Sequence, residues 1–509
     1  MMIKVILLVI FFAVMVAVGI YSRKHAMSVD GFVLGGRSVG PWLTAFAYGT
    51  SYFSAVVFVG YAGQFGWKYG LASTWIGIGN AVIGSLMAWV VLGRRTKVMT
   101  QYLNSKTMPD FFGSRYGSKP LKIAASAIVF VFLVPYTASI YNGLSRLFEM
   151  AFHIPYAWCV IGMAVFTGIY VILGGYMATA INDFIQGIIM LVGIIVVIAA
   201  VLNGQGGFLE AVGKMAEIPS DVEITLGQPG AFTSFFGPDP GNLLGVVILT
   251  SLGTWGLPQM IGKFYAIKDE KSINTGTVIS TVFAIVVSGG CYFLGGFARL
   301  FDAPAIYDEA GAVVYDSIIP HMLSALPDIL IGIVVVLVLS ASMSTLASLV
   351  LTSSSTLTLD FLKDNLLKEM SEKRQVRTMQ VLVIFFIAVS VFIALDPPTF
   401  IAQLMGISWG ALAGAFLAPF LYGLYWKGTT RAGVWASFIV GVGITVVNMF
   451  MPFIESSINA GAAAMVAGLI VVPVVSLITP KLSREKTDAI FSCYEEKVTI
   501  TKKRSLEQN

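Results

Sequence analysis

Two groups of residues in this chain could carry ion chemistry. Ser340, Ala341, Ser342, Met343, Ser344 and Thr345 precede a second hydroxyl-rich stretch, TSSSTLT at 352–358. Sodium is a hard cation that takes oxygen ligands; the Ser344 and Thr345 hydroxyls and the nearby Ala341 carbonyl supply several. Serine and threonine in membrane helices also bond back to their own backbone or across to a neighbour, so ion ligation and helix packing both stand as readings. The second group is a single carboxylate, Asp183 in GGYMATAINDFIQG. An acid inside a membrane span costs about 2.5 to 3.5 kcal/mol on insertion scales, which makes it a functional candidate by default. The alternative is an Asp that caps a helix start beside Asn182.

These groups need elements to bring them together, and the stretch at 40–63, GPWLTAFAYGTSYFSAVVFVGYAG, is the candidate centre. It is long enough to cross a bilayer and uncharged, yet Gly49, Thr50, Ser51, Tyr52, Ser54 and Gly60 interrupt it. Unwound backbone survives in a membrane only where protein, ion or water-filled cavity supplies partners, so a broken helix lines something. A continuous helix using small residues for close packing is the competing reading.

Composition sets the class. With 57% hydrophobic and 12% charged residues over 509, and a mean hydropathy of +0.83, the chain falls among polytopic membrane proteins. Cys159, Cys291 and Cys493, like His25, His153 and His321, are scattered without ligand spacing. Neither a disulfide framework, a zinc site nor an enzyme's nucleophile is expected.

At about 20 apolar residues per crossing, thirteen transmembrane helices are expected, near 3–21, 39–66, 71–93, 123–148, 155–175, 180–203, 241–266, 273–298, 326–358, 379–395, 398–426, 432–452 and 460–479. The first lacks a small-residue cleavage site and is kept as an uncleaved span. Starting outside, this count places 27 of the 32 lysines and arginines in inner segments, as the positive-inside rule requires. Lys263 is counted among these inner charges. The net charge of +5 then reflects topology, and no nucleic-acid partner is expected. The N-terminus lies outside, the C-terminus inside, and compact loops suggest a bacterial inner membrane.

Setting aside an extra N-terminal helix (1–30) and two C-terminal helices (431–480) with a cytoplasmic tail (481–509) leaves a ten-helix core, 31–430. It divides into repeats at 31–203 and 241–430. Each begins with an interrupted segment, the second containing SLGTWGLPQ at 251–259. Gly/Pro-interrupted segments at matching positions of two halves point to a transporter site formed by inverted repeats.

With these residues in view, the chain resembles the sodium:solute symporter family, and in its motifs the bacterial sodium/proline symporter-like members. FVLGGRSVGPWLTA (32–45), LGGYMATAINDFIQG (173–187), LSASMSTLAS (339–348) and GALAGAFLAPFLYGLYWKGTTRAG (410–433) are similar to family segments in the right order. The resemblance implies an all-α, LeuT-like 5+5 inverted-repeat core and Na+ as the co-transported ion. Its ligands would be the carbonyls of Thr50, Phe53 and Ala341 and the hydroxyls of Ser344 and Thr345, with Asp183 on the inward sodium path and Arg37 in coupling. The family's proline symporters have Asp where this chain has Tyr52, and a sugar-binding Glu-Gln pair is Val56-Val57 here. Sugars would lose hydrogen bonds there, at about 1 to 3 kcal/mol per unsatisfied buried group.

For the solute, Tyr52, Ser54, Val57, Tyr136, Trp255 and Gln259 are the expected pocket. Half-helix N-termini attract carboxylates, which favours a small amino acid such as proline, or a monocarboxylate. A proton-coupled symporter of the same fold and a transporter-like membrane sensor are the alternatives; the tail is short for a sensor's output domain.

Overall fold

The computed structural model describes residues 2–367 and 369–494. Residues 495–509 of the expected tail lie outside the described residues. Among those described there are no strands, only helices and two isolated β-bridges, Val39 to Ile267 and Tyr307 to Val313. Among the described residues eleven helices are long and apolar enough to cross a membrane. Two of them, Val56–Tyr102 with 47 residues and Tyr156–Gly204 with 49, are each about twice the length of one crossing. Each is interrupted at a glycine in left-handed φ, Gly70 (φ 60°) and Gly175 (φ 53°). A side chain at Gly70 would also meet the Phe232 carbonyl oxygen at 2.2 Å, so only glycine fits.

Burial sorts the helices into centre and periphery. The most apolar windows of Ile401–Tyr425, Asp328–Asp364 and Pro240–Ala266 are 89%, 78% and 72% buried, against 22% in Met2–Ser22 and 33% in Glu372–Leu395. The last two therefore present apolar side chains outward, such as Val9, Ile10, Phe385 and Phe392, as lipid-facing helices do.

Both expected interruptions are present. The first broken helix runs Pro41–Tyr52, passes through Phe53 in extended conformation (φ −108°, ψ 114°) and resumes at Val56 as a π-type turn. The second runs Pro240–Leu252, tightens to a 3₁₀ turn at Gly253–Trp255, is extended at Leu257 (φ −85°, ψ 120°) and restarts at Pro258–Ala266. Proline is tolerated at that first helical position because its missing N–H would be unpaired anyway. The break in the first helix is narrower than the run of small residues implied. Gly49 to Tyr52 remain helical, and a Cβ on Gly49 would lie 2.5 Å from the Phe283 ring, one on Gly60 2.7 Å from Ile401. Those glycines allow close approach, while residues 53–55 make the break.

The charges also sort by end. Lys4 at the start of Met2–Ser22 pairs with Asp328 (2.9 Å) at the start of Asp328–Thr356, and Arg299 pairs with Asp221 (2.7 Å) at the same, acid-rich end. At the opposite, basic end Lys122 meets Asp110 and Asp364 at 2.8 and 2.7 Å. There the two broken helices are joined by backbone: Val39 N–H donates to Ala266 O (3.3 Å) and Lys268 N–H to Val39 O (2.9 Å).

Two expectations need correction. The loop expected between 175 and 180 is one residue, Gly175, so Asp183 stands eight residues into continuous helix and caps nothing. Lys263 is no flanking loop charge; it is buried within Pro258–Ala266.

Candidate functional site

Breaking a helix orphans backbone groups, and the structure shows where these go. In the first broken helix, the helix Asp328–Thr356 supplies the partners. Ser342 Oγ accepts the Ala55 N–H (3.1 Å), Thr345 Oγ1 faces the Thr50 carbonyl (3.2 Å), and Ser344 Oγ donates to Thr50 Oγ1 (2.7 Å). Ser348 Oγ meets Ser51 Oγ at 2.8 Å. These hydroxyls recur every three or four residues, so one face of the helix runs along the break. Thr345 also faces the carbonyl of Ala341 at 3.1 Å. The Val57 N–H goes to Ser54 O instead of Phe53 O, which takes the Phe53 carbonyl out of the helical ladder. The structure thus brings together Thr50, Ala341, Ser344 and Thr345, with Phe53 at the head of the break. Water is excluded: all five are at most 2% exposed.

Asp183 adjoins this cluster, with Ser344 beside it. Both carboxylate oxygens are buried without a hydrogen-bond partner, and the nearest cation is Lys263, Nζ to Oδ2 3.7 Å. Lys263 in turn donates to Ser348 Oγ at 3.0 Å and lies 5.2 Å from the Tyr176 ring centre. A narrow cavity of about 40 Å³, lined by Gln259, Lys263, Ser348 and Thr352, opens toward the basic end. It has room for waters and is too small for an organic solute. Sequence reasoning missed Lys263 because a Lys near a span end is usually read as a topology signal.

The expected solute residues separate into two groups. Tyr52 stacks on Trp409, and Tyr136 meets the same indole edge-on, both at 5.9 Å; Ser54 lies beside Tyr136. Trp409 also closes the second break, since a Cβ on Gly253 would be 2.6 Å from its ring. The Tyr52 hydroxyl donates to the carbonyl of Thr250, in the last turn before that break, and so links the two interrupted helices. By contrast, the hydroxyls of Tyr136, Tyr61 and Tyr292 and the Trp409 N–H are buried without partners. Val57 is buried on the π turn. Trp255 donates to the Ile83 carbonyl (2.9 Å), while Gln259, both of its amide atoms unpartnered, lines the basic-end cavity with Lys263. Trp409 was the missed residue. Its signal was a tryptophan in the middle of a Gly/Ala/Ser-rich span, where membrane tryptophans otherwise favour the interfaces.

At the basic end Arg37 donates to Ser105 O (2.5 Å) and Tyr265 O (3.5 Å). At the acid-rich end a larger cavity of about 630 Å³ lies between residues of both broken helices, Gln64 and Val246 among them. Beside it the short helix Tyr315–Ser324 covers the second half of the first broken helix, a Cβ on Gly63 meeting its Tyr315 carbonyl at 3.0 Å. Its Asp316 accepts the Ile401 N–H (3.2 Å) at the start of Ile401–Tyr425. Burial raises the Asp316 carboxyl to about 6, partly offset by the Ile401 N–H and Arg146. A carboxyl with a raised folded pKa stabilises docking fully below its free value near 4, and that contribution is lost as pH rises through about 6. Hydrogen exchange of amides 315–324 should therefore slow on going from pH 8 to 5, after correction for intrinsic rates, and Asp316→Asn should flatten the difference. An unchanged slope in the variant would reject the assignment.

Two interrupted helices stitched break to break, inside lipid-facing helices, make the construction of a membrane transporter. The profile of the sodium:solute symporter family matches residues 32–441, and the chain belongs to that family. Its members are transporters that couple solute movement to sodium, not enzymes. Curated relatives include the sodium/proline symporters of Staphylococcus aureus strains JH9 and NCTC 8325, each 30% identical over 500 residues that cover 94% of this chain and 93% of the relative. Among solved structures, a Na+-coupled sialic acid symporter in a substrate-bound outward-open state superposes with a TM-score of 0.77 at 14% identity, covering 95% of this chain and 99% of that one. That likeness shows the shared fold.

Proposed function

We propose that this chain carries out sodium-coupled symport of a small organic solute, an amino acid such as proline or a monocarboxylate, by alternating access. The observation that carries the reading is the set of Ser344 and Thr345 hydroxyls against Thr50 at the unwound first helix. Sodium would bind the carbonyls of Thr50, Phe53 and Ala341 with those two hydroxyls, and pass Asp183 on the way in. The solute would lie against Tyr52, Ser54, Tyr136 and Trp409, where unpartnered hydroxyl and indole donors suit a carboxylate. The 30% identity to sodium/proline symporters supports an amino acid, while Tyr52 in place of the proline symporters' Asp argues for a site of altered polarity.

In this reading each of the two long runs is two crossings, giving thirteen, with residues 31–203 and 241–430 as inverted repeats and 431–480 as added helices. The basic end faces the cytoplasm, which the segregation of basic residues supports, so Arg37 belongs to the inner gate. Sodium entering with the membrane potential contributes roughly 2.3 kcal/mol per charge per 100 mV.

The test is uptake of pooled labelled amino acids and carboxylates into proteoliposomes under an inward sodium gradient, with potassium and proton-gradient controls. Accumulation that requires sodium is the expected result. Uptake driven by protons alone would overturn the ion assignment, and no gradient-driven uptake from a broad pool would favour the sensor reading.

A further inference from the structure

Lys263 is the feature that the family assignment does not explain. Its ammonium is 3% exposed and faces Asp183, 1% exposed. Both oxygens of that carboxylate are without a hydrogen-bond partner. Ser348, which accepts from the ammonium, is one turn beyond Ser344 on the same helix, about 6 Å along its axis. The ammonium therefore stands one turn from the proposed sodium ligands, among a carboxylate and serine hydroxyls. Such oxygens would themselves hold a hard cation, and a buried carboxylate requires some compensating charge.

We propose that Lys263 is a tethered cation that occupies the place of a second sodium ion at Asp183, so that one sodium ion binds per chain. A covalently held ammonium satisfies the carboxylate without leaving as cargo. Removing it converts Asp183, with the hydroxyls of Ser344 and Ser348, into a second cation site. This inference rests on the sodium site proposed above.

The test uses sodium alone, so it needs no identified solute. Equilibrium binding of radioactive sodium to purified full-length protein should give one ion per chain in the wild type, two in Lys263→Met, and one again in Lys263→Met/Asp183→Asn. Two ions in the wild type, or one in Lys263→Met, would overturn the proposal. If Lys263→Met is too unstable for binding, its thermal melt decides. Recovery in sodium but not in choline supports a sodium ion replacing the ammonium, and equal instability in both rejects it. A wild type that binds no sodium, or binds it unaffected by Ser344→Ala, is the separate failure of the sodium-site reading.

Discussion

Ser344→Ala should raise the sodium concentration needed for half-maximal uptake by roughly 10- to 100-fold, and Ser344→Ala/Thr345→Val should leave almost no sodium-driven accumulation. A hydrogen-bonding group that faces a charge contributes about 1.5 to 3 kcal/mol, and each 1.4 kcal/mol is a factor of ten. The single alanine is the cleaner probe, because Thr50 Oγ1 keeps its own bond to the Phe46 carbonyl at 2.8 Å, so the broken helix stays anchored. Thr345→Val is less clean, since it strips the Thr50 carbonyl of its hydroxyl partner. Sodium-titrated uptake at fixed protein orientation measures both. Half-saturation unchanged in Ser344→Ala would remove this hydroxyl from the ion's ligands.

Trp409→Ala should cost the fold more than any change at the sodium site, because the indole is packed against both breaks at once. It contacts Tyr52 and Tyr136, abuts Gly253 and is 1% exposed. Large-to-small changes of this kind cost about 3 to 5 kcal/mol, and transport should be lost along with a lower melting temperature in detergent. Trp409→Phe separates the two roles of the residue. It keeps most of the packing and deletes the unpartnered N–H, so the melt should barely move while the solute half-saturation rises roughly three- to tenfold. A phenylalanine variant with wild-type half-saturation would mean that the indole N–H never touches solute.

The sequence disclosed what chemistry forbids more readily than what geometry arranges. Both helix breaks were legible because Gly253, Gly256 and Pro258 cannot continue a helix comfortably, and because polar residues crowd the first break. The hydroxyl ladder from Ser342 to Ser348 was visible as composition, but its four partner groups lie on Thr50, Ser51 and Ala55, nearly 300 positions away. No local pattern encodes that pairing. Asp183 was recognised as costly, though its surroundings misled: Asn182 before it and a span starting near 180 suggested a helix cap, whereas the irregular backbone is confined to Gly175, eight residues earlier. Lys263 was hidden by a sound rule, since a lysine near a span end usually marks a membrane face, and only burial distinguishes the exception. The rings gathered at Trp409, Tyr52 and Tyr136, come from helices far apart in sequence, so their meeting has no linear signature.

The contact between Gly66 and Gly295 bears on how such a molecule can move. A Cβ on Gly66 would sit 1.8 Å from the Gly295 carbonyl oxygen, and one on Gly295 2.2 Å from that of Ala62. The second half of the first broken helix and the helix Glu270–Gly295 therefore touch main chain to main chain. Between such surfaces there is no room for even a methyl group, so the contact is as close as two helices can make. A motion that preserves this contact carries the two segments together. In the proposed alternating-access cycle, rocking of this part would be taken up at residues 53–55, where the first broken helix is unwound beside the proposed sodium ligands.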